Sequence, residues 1–137
     1  MNRRLSTFVA RTRSLAIAGL AAGSVIAPVQ AAAATGAPPS GEALFSQKCA
    51  TCHALSPGET RVGPSLYHVV GRPAGKLPGF TYSDALQHSR FDWTPSDLDR
   101  WLADTSAAVP GSVMSFREPD SDKRQAIIAY LVSISKK

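Results

Sequence analysis

Cys49-Ala50-Thr51-Cys52-His53 holds the two cysteines of a 137-residue chain, three positions apart, with a histidine directly behind them. On a helical turn, side chains three apart face the same side. Two thiols so placed can each add across one vinyl group of a haem, giving two thioether bonds. His53 then reaches the iron from the face to which the cysteines tether the ring. This spacing is the covalent haem-attachment signature, and a proximal histidine is the usual iron ligand. Other chemistries fit less well. A zinc site needs about four ligands, and the remaining histidines, His68 and His88, form no second pair at metal-binding spacing. A redox-active dithiol wants a strand–helix–strand setting, and strand signals are poor along this chain. A plain disulfide leaves the adjacent histidine without a role.

A second iron ligand follows by elimination. Apart from Met1, the chain has one methionine, Met114, in the loop Val109-Pro110-Gly111-Ser112-Val113-Met114-Ser115-Phe116. A lone methionine behind a Pro-Gly pair is a poor core filler. A thioether is soft and neutral, and His/Met ligation raises the reduction potential. His68 and His88 are the rivals, each among polar or loop residues where a solvated histidine is the plainer reading.

Charge and leader constrain the class. The formal charge is +5, but Arg3, Arg4, Arg11 and Arg13 precede the first acid, Glu42. Without those four, the 15 basic residues fall to 11 against 10 acids, so the rest carries +1. No basic stripe survives, which removes the case for nucleic acid. Basic residues, an apolar run from Leu15 to Val29 and small residues at Ala31–Ala34 form the three parts of a secretory signal. Val29-Gln30-Ala31 fits cleavage after Ala31, and Ala33 offers a second site. Gly19, Gly23, Ser24 and Pro28 interrupt a run already short of the ~20 residues that span a bilayer, which disfavours a retained anchor. The expected organisation is a signal peptide over 1–31, a small-residue tether over 32–40 and one domain over 41–137.

Start signals place the helices. Ser40 caps a first helix that carries Leu44 and Phe45 and runs to about Ala50. Ser65–Val70 predicts one or two turns, and Tyr82–Gln87 a short helix. Thr94 caps a helix with Pro95 at its first position and Asp97 in its first turn, ending near Asp104. Trp93 and Leu98 have the spacing of a hydrophobic staple. A last helix begins near Ser121, with Ile127, Ile128, Leu131 and Ile134 on its buried face. Four or five short helices joined by long loops imply an all-α domain whose centre is filled by a cofactor.

The order of these features resembles class I cytochrome c, over about Gly41 to Ile134. The attachment motif comes first, then Gly63-Pro64, Trp93, the Pro-Gly-Ser-Val-Met run and Ala129-Tyr130-Leu131. An attachment motif near the N-terminus separates this class from cytochromes c′. The resemblance implies the cytochrome c fold around one haem c, with Gly41 and Phe45 meeting Tyr130 and Leu131. It implies that the Pro64 carbonyl accepts the His53 N–H and fixes its tautomer. Arg72, Tyr82, Trp93 and Ser112 match positions that hold a haem propionate, and Phe116 the aromatic over the haem edge. Leu86 stands where the family has an asparagine, and Trp101 where a tyrosine bonds the methionine sulfur. Of the family's lysine ring Lys48 remains, while Ser106, Ala107 and Val113 replace lysines.

The resemblance further implies an electron carrier rather than an enzyme: a periplasmic, monomeric shuttle touching membranes through its partners or an uncleaved leader. Its donors would be a quinol-oxidising cytochrome complex or a periplasmic dehydrogenase, and its acceptors a terminal oxidase or a photosynthetic reaction centre. A fixed cytochrome subunit of one periplasmic dehydrogenase is the alternative. The sparse lysines predict weak salt dependence of partner encounter. With no lysine between Lys76 and Lys123, displacement of Met114 at high pH is expected to be delayed.

Overall fold

Ser40 opens the first helix as its position suggests: its Oγ accepts the Ala43 N–H at 3.2 Å. The structure, a computed structural model, describes residues 37–136. The leader, its cleavage site and tether residues 32–36 lie outside the described residues. Helix α1 spans Gly41–Lys48 and buries Leu44 and Phe45. It ends two residues before the expected boundary, and the attachment motif continues as turns, with His53 N–H bonded to Cys49 O at 2.9 Å.

Four further helices follow: α2 (Asp84–Gln87), α3 (Pro95–Ala103), α4 (Thr105–Ala108) and α5 (Ser121–Ser135). Helix α3 begins with a full capping box between Thr94 and Asp97, and the stapling residues Trp93 and Leu98 are both buried. Helix α2 starts two residues later than the sequence predicts, behind Ser83. Helix α4 has no counterpart among the sequence expectations. Asp104 ends α3 in an extended conformation and caps the next turn, its Oδ1 accepting from Ala107 N–H at 3.0 Å. Asp120 caps α5 through bonds from the N–H groups of Asp122 and Lys123, at 3.0 and 3.3 Å.

Residues 65–70 make single turns, as the sequence predicts, and these do not extend into a helix. Ser65 Oγ accepts from Tyr67 N–H at 3.1 Å, and the Arg72 guanidinium takes the Ser65 and Tyr67 carbonyls at 2.9 and 3.2 Å. Those carbonyls are therefore engaged by a side chain, and His68 takes a left-handed φ of 48°. Local side-chain bonds of this kind compete with helix formation.

Helix α1 crosses α5. At Gly41 an added Cβ would overlap Ala126 O and lie 2.9 Å from Tyr130 Cβ, so the two backbones meet because no side chain intervenes. Phe45 packs on Tyr130 with ring centroids 5.7 Å apart. Helix α3 lies on the other flank of α5, whose Ile127, Ile128 and Leu131 are buried. No strand forms among the described residues; Pro73 and Asp92 make one isolated bridge. The architecture is all-α, and its loops enclose a cavity.

Candidate haem site

The imidazole of His53 is fixed from both sides. Its Nδ1–H donates to Pro64 O at 2.8 Å, which leaves Nε2 as the ring nitrogen available to a ligand. Gly63 lies against the ring: a Cβ there would overlap Cε1 and sit 2.7 Å from Nδ1. Gly63 N–H in turn bonds Cys52 O at 2.8 Å, folding the loop back on the motif. Burial pushes the His53 pKa below its ordinary value, against the pull of the Pro64 bond, so the ring is neutral, as a metal ligand must be. Cys49 and Cys52 are free thiols. Burial pushes the Cys49 thiol up to about 11, which disfavours a thiolate nucleophile or zinc ligand. No group of three or more His, Cys, Asp or Glu side chains could hold a metal ion among the described residues.

These residues open on a cavity of about 460 Å³. Cys49, Cys52, His53, Pro64, Met114 and Phe116 all line it. Leu66, Val69, Leu98, Leu102, Ile127 and Leu131 supply apolar walls. Two departures from the family pattern, Leu86 and Trp101, also line it. Trp101 packs edge-on against Trp93, centroids 5.3 Å apart. No hydrogen bond joins Trp101 to the Met114 sulfur among the described residues.

The cavity lining is mostly apolar and includes two cations, Lys48, which is paired with Glu118, and Arg72. Arg72 lines it and has no carboxylate partner among the described residues. A half-buried guanidinium without an anion is costly, so an acidic ligand group would complete it. Tyr82 and Trp93 share the lining. Burial raises the Tyr82 pKa above its ordinary value while Arg72 pulls it down, placing phenol and guanidinium in one electrostatic environment. Trp93 N–H bonds Arg72 O at 3.0 Å, and Gly71 N–H bonds Trp93 O at 3.0 Å, so the two segments are held together. A large apolar cavity, two adjacent thiols, a neutral imidazole and one unmatched cation fit a haem with its propionates.

Met114 sits on a loop clamped by a residue that sequence reasoning missed. Thr105, 0% exposed, donates its hydroxyl to Met114 O at 2.7 Å and accepts the Phe116 N–H at 3.0 Å. Its own N–H bonds Phe116 O at 3.1 Å. Glu118, also missed, is 4% exposed and pairs with Lys48 at 2.8 Å, joining the Met114 segment to the end of α1. The Lys48 bond holds the Glu118 carboxyl below its ordinary pKa.

The other sequence-chosen residues fall differently. Ser112 lies outside the cavity lining, its Oγ accepting the Met114 N–H at 3.3 Å. His88 is exposed, with Nδ1 bonded to Asp84 O at 2.8 Å. His68 is half-buried: it stacks on Tyr67, centroids 4.1 Å apart, and its Nε2 is buried without a partner. Neither histidine lines the cavity.

Comparison with known proteins agrees with this geometry. A family model described as cytochrome C oxidase, cbb3-type, subunit III, matches residues 36–131. A cytochrome c2 of Rhodopila globiformis is 43% identical over 100 residues, covering 72% of this chain and 94% of that protein. The cytochrome c-type cyt cy of Rhodobacter capsulatus is 38% identical over 109 residues, covering 79% of this chain and 54% of that longer protein. Among solved structures, cytochrome cH from Methylobacterium extorquens is 42% identical, with a TM-score of 0.63 over 68% of this chain and 94% of that one.

Proposed function

Because the chain belongs to the class I monohaem cytochromes c, we propose that it shuttles single electrons in the periplasm, its iron held between His53 Nε2 and Met114 Sδ. It is an electron carrier rather than an enzyme, with one haem c bound covalently through Cys49 and Cys52. Haem c would supply one ferrous/ferric couple there, and His53 and Met114 are the two residues that would hold its iron. The observation that carries the assignment is that His53 and Met114 share one apolar cavity with both cysteines, while His68 and His88 do not reach it.

The protein's own residues hold the site in place. Pro64 O and Gly63 fix the imidazole plane, and Thr105 fixes the backbone from Met114 to Phe116. Arg72, with Tyr82 and Trp93 beside it, is suited to hold a propionate; Ser112 orders the methionine turn that Phe116 follows. Apolar walls exclude water, which limits reorganisation when the charge on the iron changes.

Residues 1–31, read as a removable leader, support export, and 41–137 is then the haem domain. No helix of the described residues is long and apolar enough to cross a membrane. In this reading the electron comes from a quinol-oxidising cytochrome complex or a periplasmic dehydrogenase. It leaves to a terminal oxidase or a photosynthetic reaction centre. The likeness to bacterial proteins named cytochrome c2 and cyt cy supports that role. The test is the reduced-minus-oxidised spectrum with an intact mass. A covalent porphyrin and a sulfur–iron band that Met114→Ala abolishes are expected. A colourless protein, or a band unaffected by that substitution, overturns the ligand set.

A further inference from the structure

A second cavity, of about 450 Å³, shares no lining residue with the haem site. It is a groove between Pro73 and Lys76 on one side and the segment from Gln87 to Asp92 on the other. Backbone pairing holds its walls. Pro73 and Asp92 form the isolated bridge, Ala74 N–H bonds Phe91 O at 2.9 Å, and Lys76 Nζ donates to Gln87 O at 2.5 Å. At Gly75 an added Cβ would overlap Leu86 O, so the two segments touch through their main chains.

The side chains of the groove carry unmatched charge. Lys76, Arg90 and Asp92 are exposed and form no ion pair among the described residues. Six other lysines and arginines each have a carboxylate partner, so two unpaired cations in one groove call for an anion. The His88 ring is oriented: its Nδ1–H donates to Asp84 O at 2.8 Å, which makes Nε2 an acceptor in the neutral ring. The groove therefore offers two cationic donors, Lys76 and Arg90, together with two acceptors, Asp92 and His88 Nε2.

That mixture selects a chemistry. Sulfate can only accept hydrogen bonds, and it would meet Asp92 as a like charge. Hydrogen phosphate is a tetrahedral dianion too, but its P–OH can donate. It takes bonds from Lys76 and Arg90 and returns one to the Asp92 carboxylate or to His88 Nε2. Hydrogen bonds with an ionised partner are the strong ones, and a site built around a ligand hydroxyl rejects the analogue that lacks it. We propose that this groove is an inorganic phosphate site, in which Lys76 and Arg90 hold the charge and Asp92 reads the proton. A volume of about 450 Å³ has room for the ion and several waters, at about 30 Å³ each. A lipid is the poorer source of the phosphate. An ionised phosphodiester has no P–OH, and none of the exposed large hydrophobic side chains, Val62, Tyr67 and Val113, lines the groove. The inference is independent of the electron-carrier reading.

The test titrates isotope-labelled, reduced holoprotein with sodium phosphate, and separately with sodium sulfate, at fixed ionic strength and about pH 8, following the amide chemical shifts. Phosphate should move the amides of the two groove segments together and saturate with a Kd of about 1 mM or tighter. Sulfate should bind at least about tenfold more weakly. Arg90→Gln and Lys76→Gln, both at exposed positions, should each weaken phosphate at least about tenfold, so the site stays testable if one variant fails to fold. Asp92→Asn should bring sulfate to within about threefold of phosphate, because the like charge is gone. Equal affinities for the two ions in the wild type, shifts scattered over cations outside the groove, or unchanged selectivity in Asp92→Asn would mean an adventitious ion only and overturn the proposal. Broadening of the spectrum by phosphatidylglycerol vesicles, with no response to free phosphate, would overturn it in favour of a lipid surface.

Discussion

Replacing Thr105 with valine should free the methionine loop without disturbing the packing. Valine matches threonine in shape, so the fully buried site stays filled. What is lost is one hydroxyl serving two partners, Met114 O at 2.7 Å and Phe116 N–H at 3.0 Å. A buried polar group left without its partner costs about 1–3 kcal/mol. With two groups stranded, and partial relief when the loop meets water, the clamp contributes about 2–3 kcal/mol. That cost is local: opening residues 112–116 relieves it without unfolding the helices. The assay is a pH titration of the sulfur–iron absorption band, followed in parallel with helical circular dichroism. One pH unit corresponds to about 1.4 kcal/mol, so the midpoint for loss of the band should fall by about 1.5–2 units in T105V. T105S, which keeps the hydroxyl, should restore it. Helical signal should persist well past the loss of the band. A T105V midpoint equal to that of the wild type, or equal shifts in T105V and T105S, refutes the clamp.

Gly63→Ala should displace the His53 ring, because the new Cβ would overlap Cε1; a lower haem content per mass of purified protein and an altered Soret position check this. Glu118→Gln should cost about 1.5–3 kcal/mol at neutral pH, the range for a hydrogen bond to a charged group. The Lys48 bond depresses the folded-state pKa of Glu118, so the stabilisation is full above the ordinary glutamate value of about 4.3 and is lost as pH falls through the depressed value. Guanidinium unfolding of wild type and E118Q should therefore differ at pH 7 and converge in acid; a gap that widened on acidification would contradict the assignment. In the wild type, the absence of lysines between Lys76 and Lys123 predicts that the sulfur–iron band survives to high pH without a lysine-ligated product, which magnetic circular dichroism would detect.

Helix starts written in side-chain chemistry were readable in advance. Thr94, Pro95 and Asp97 carry the whole signal within four positions, and the structure shows the complete capping box there. The attachment motif is local too, so two thiols and a histidine needed no tertiary information to be singled out. Thr105 and Glu118 were invisible for the opposite reason. A threonine between Asp104 and Ser106 has no pattern of its own, and its function comes from meeting residues 9 and 11 positions on. Glu118 reads as a loop charge until α1 places Lys48 beside it. The turns at 65–70 were foreseen, but not what holds them: Arg72, reaching back for the Ser65 and Tyr67 carbonyls, is a contact no local pattern announces. Helix α4, four residues long, is too short to show a periodic apolar face.

Gly41 rests on Ala126, 85 positions further along the chain. The backbone seam between α1 and α5 therefore forms only after α5 has been made. Before Ser121 emerges, Leu44 and Phe45 have no cover, and the segment bearing Cys49 and Cys52 is unsupported on that side. Closing so long a loop is entropically costly but scales only with the logarithm of its length, and a smooth glycine surface lets the seam close without rearranging either helix. A nascent or truncated chain would thus keep its thiols within reach of attachment machinery. The domain shuts like a clasp once α5 meets α1.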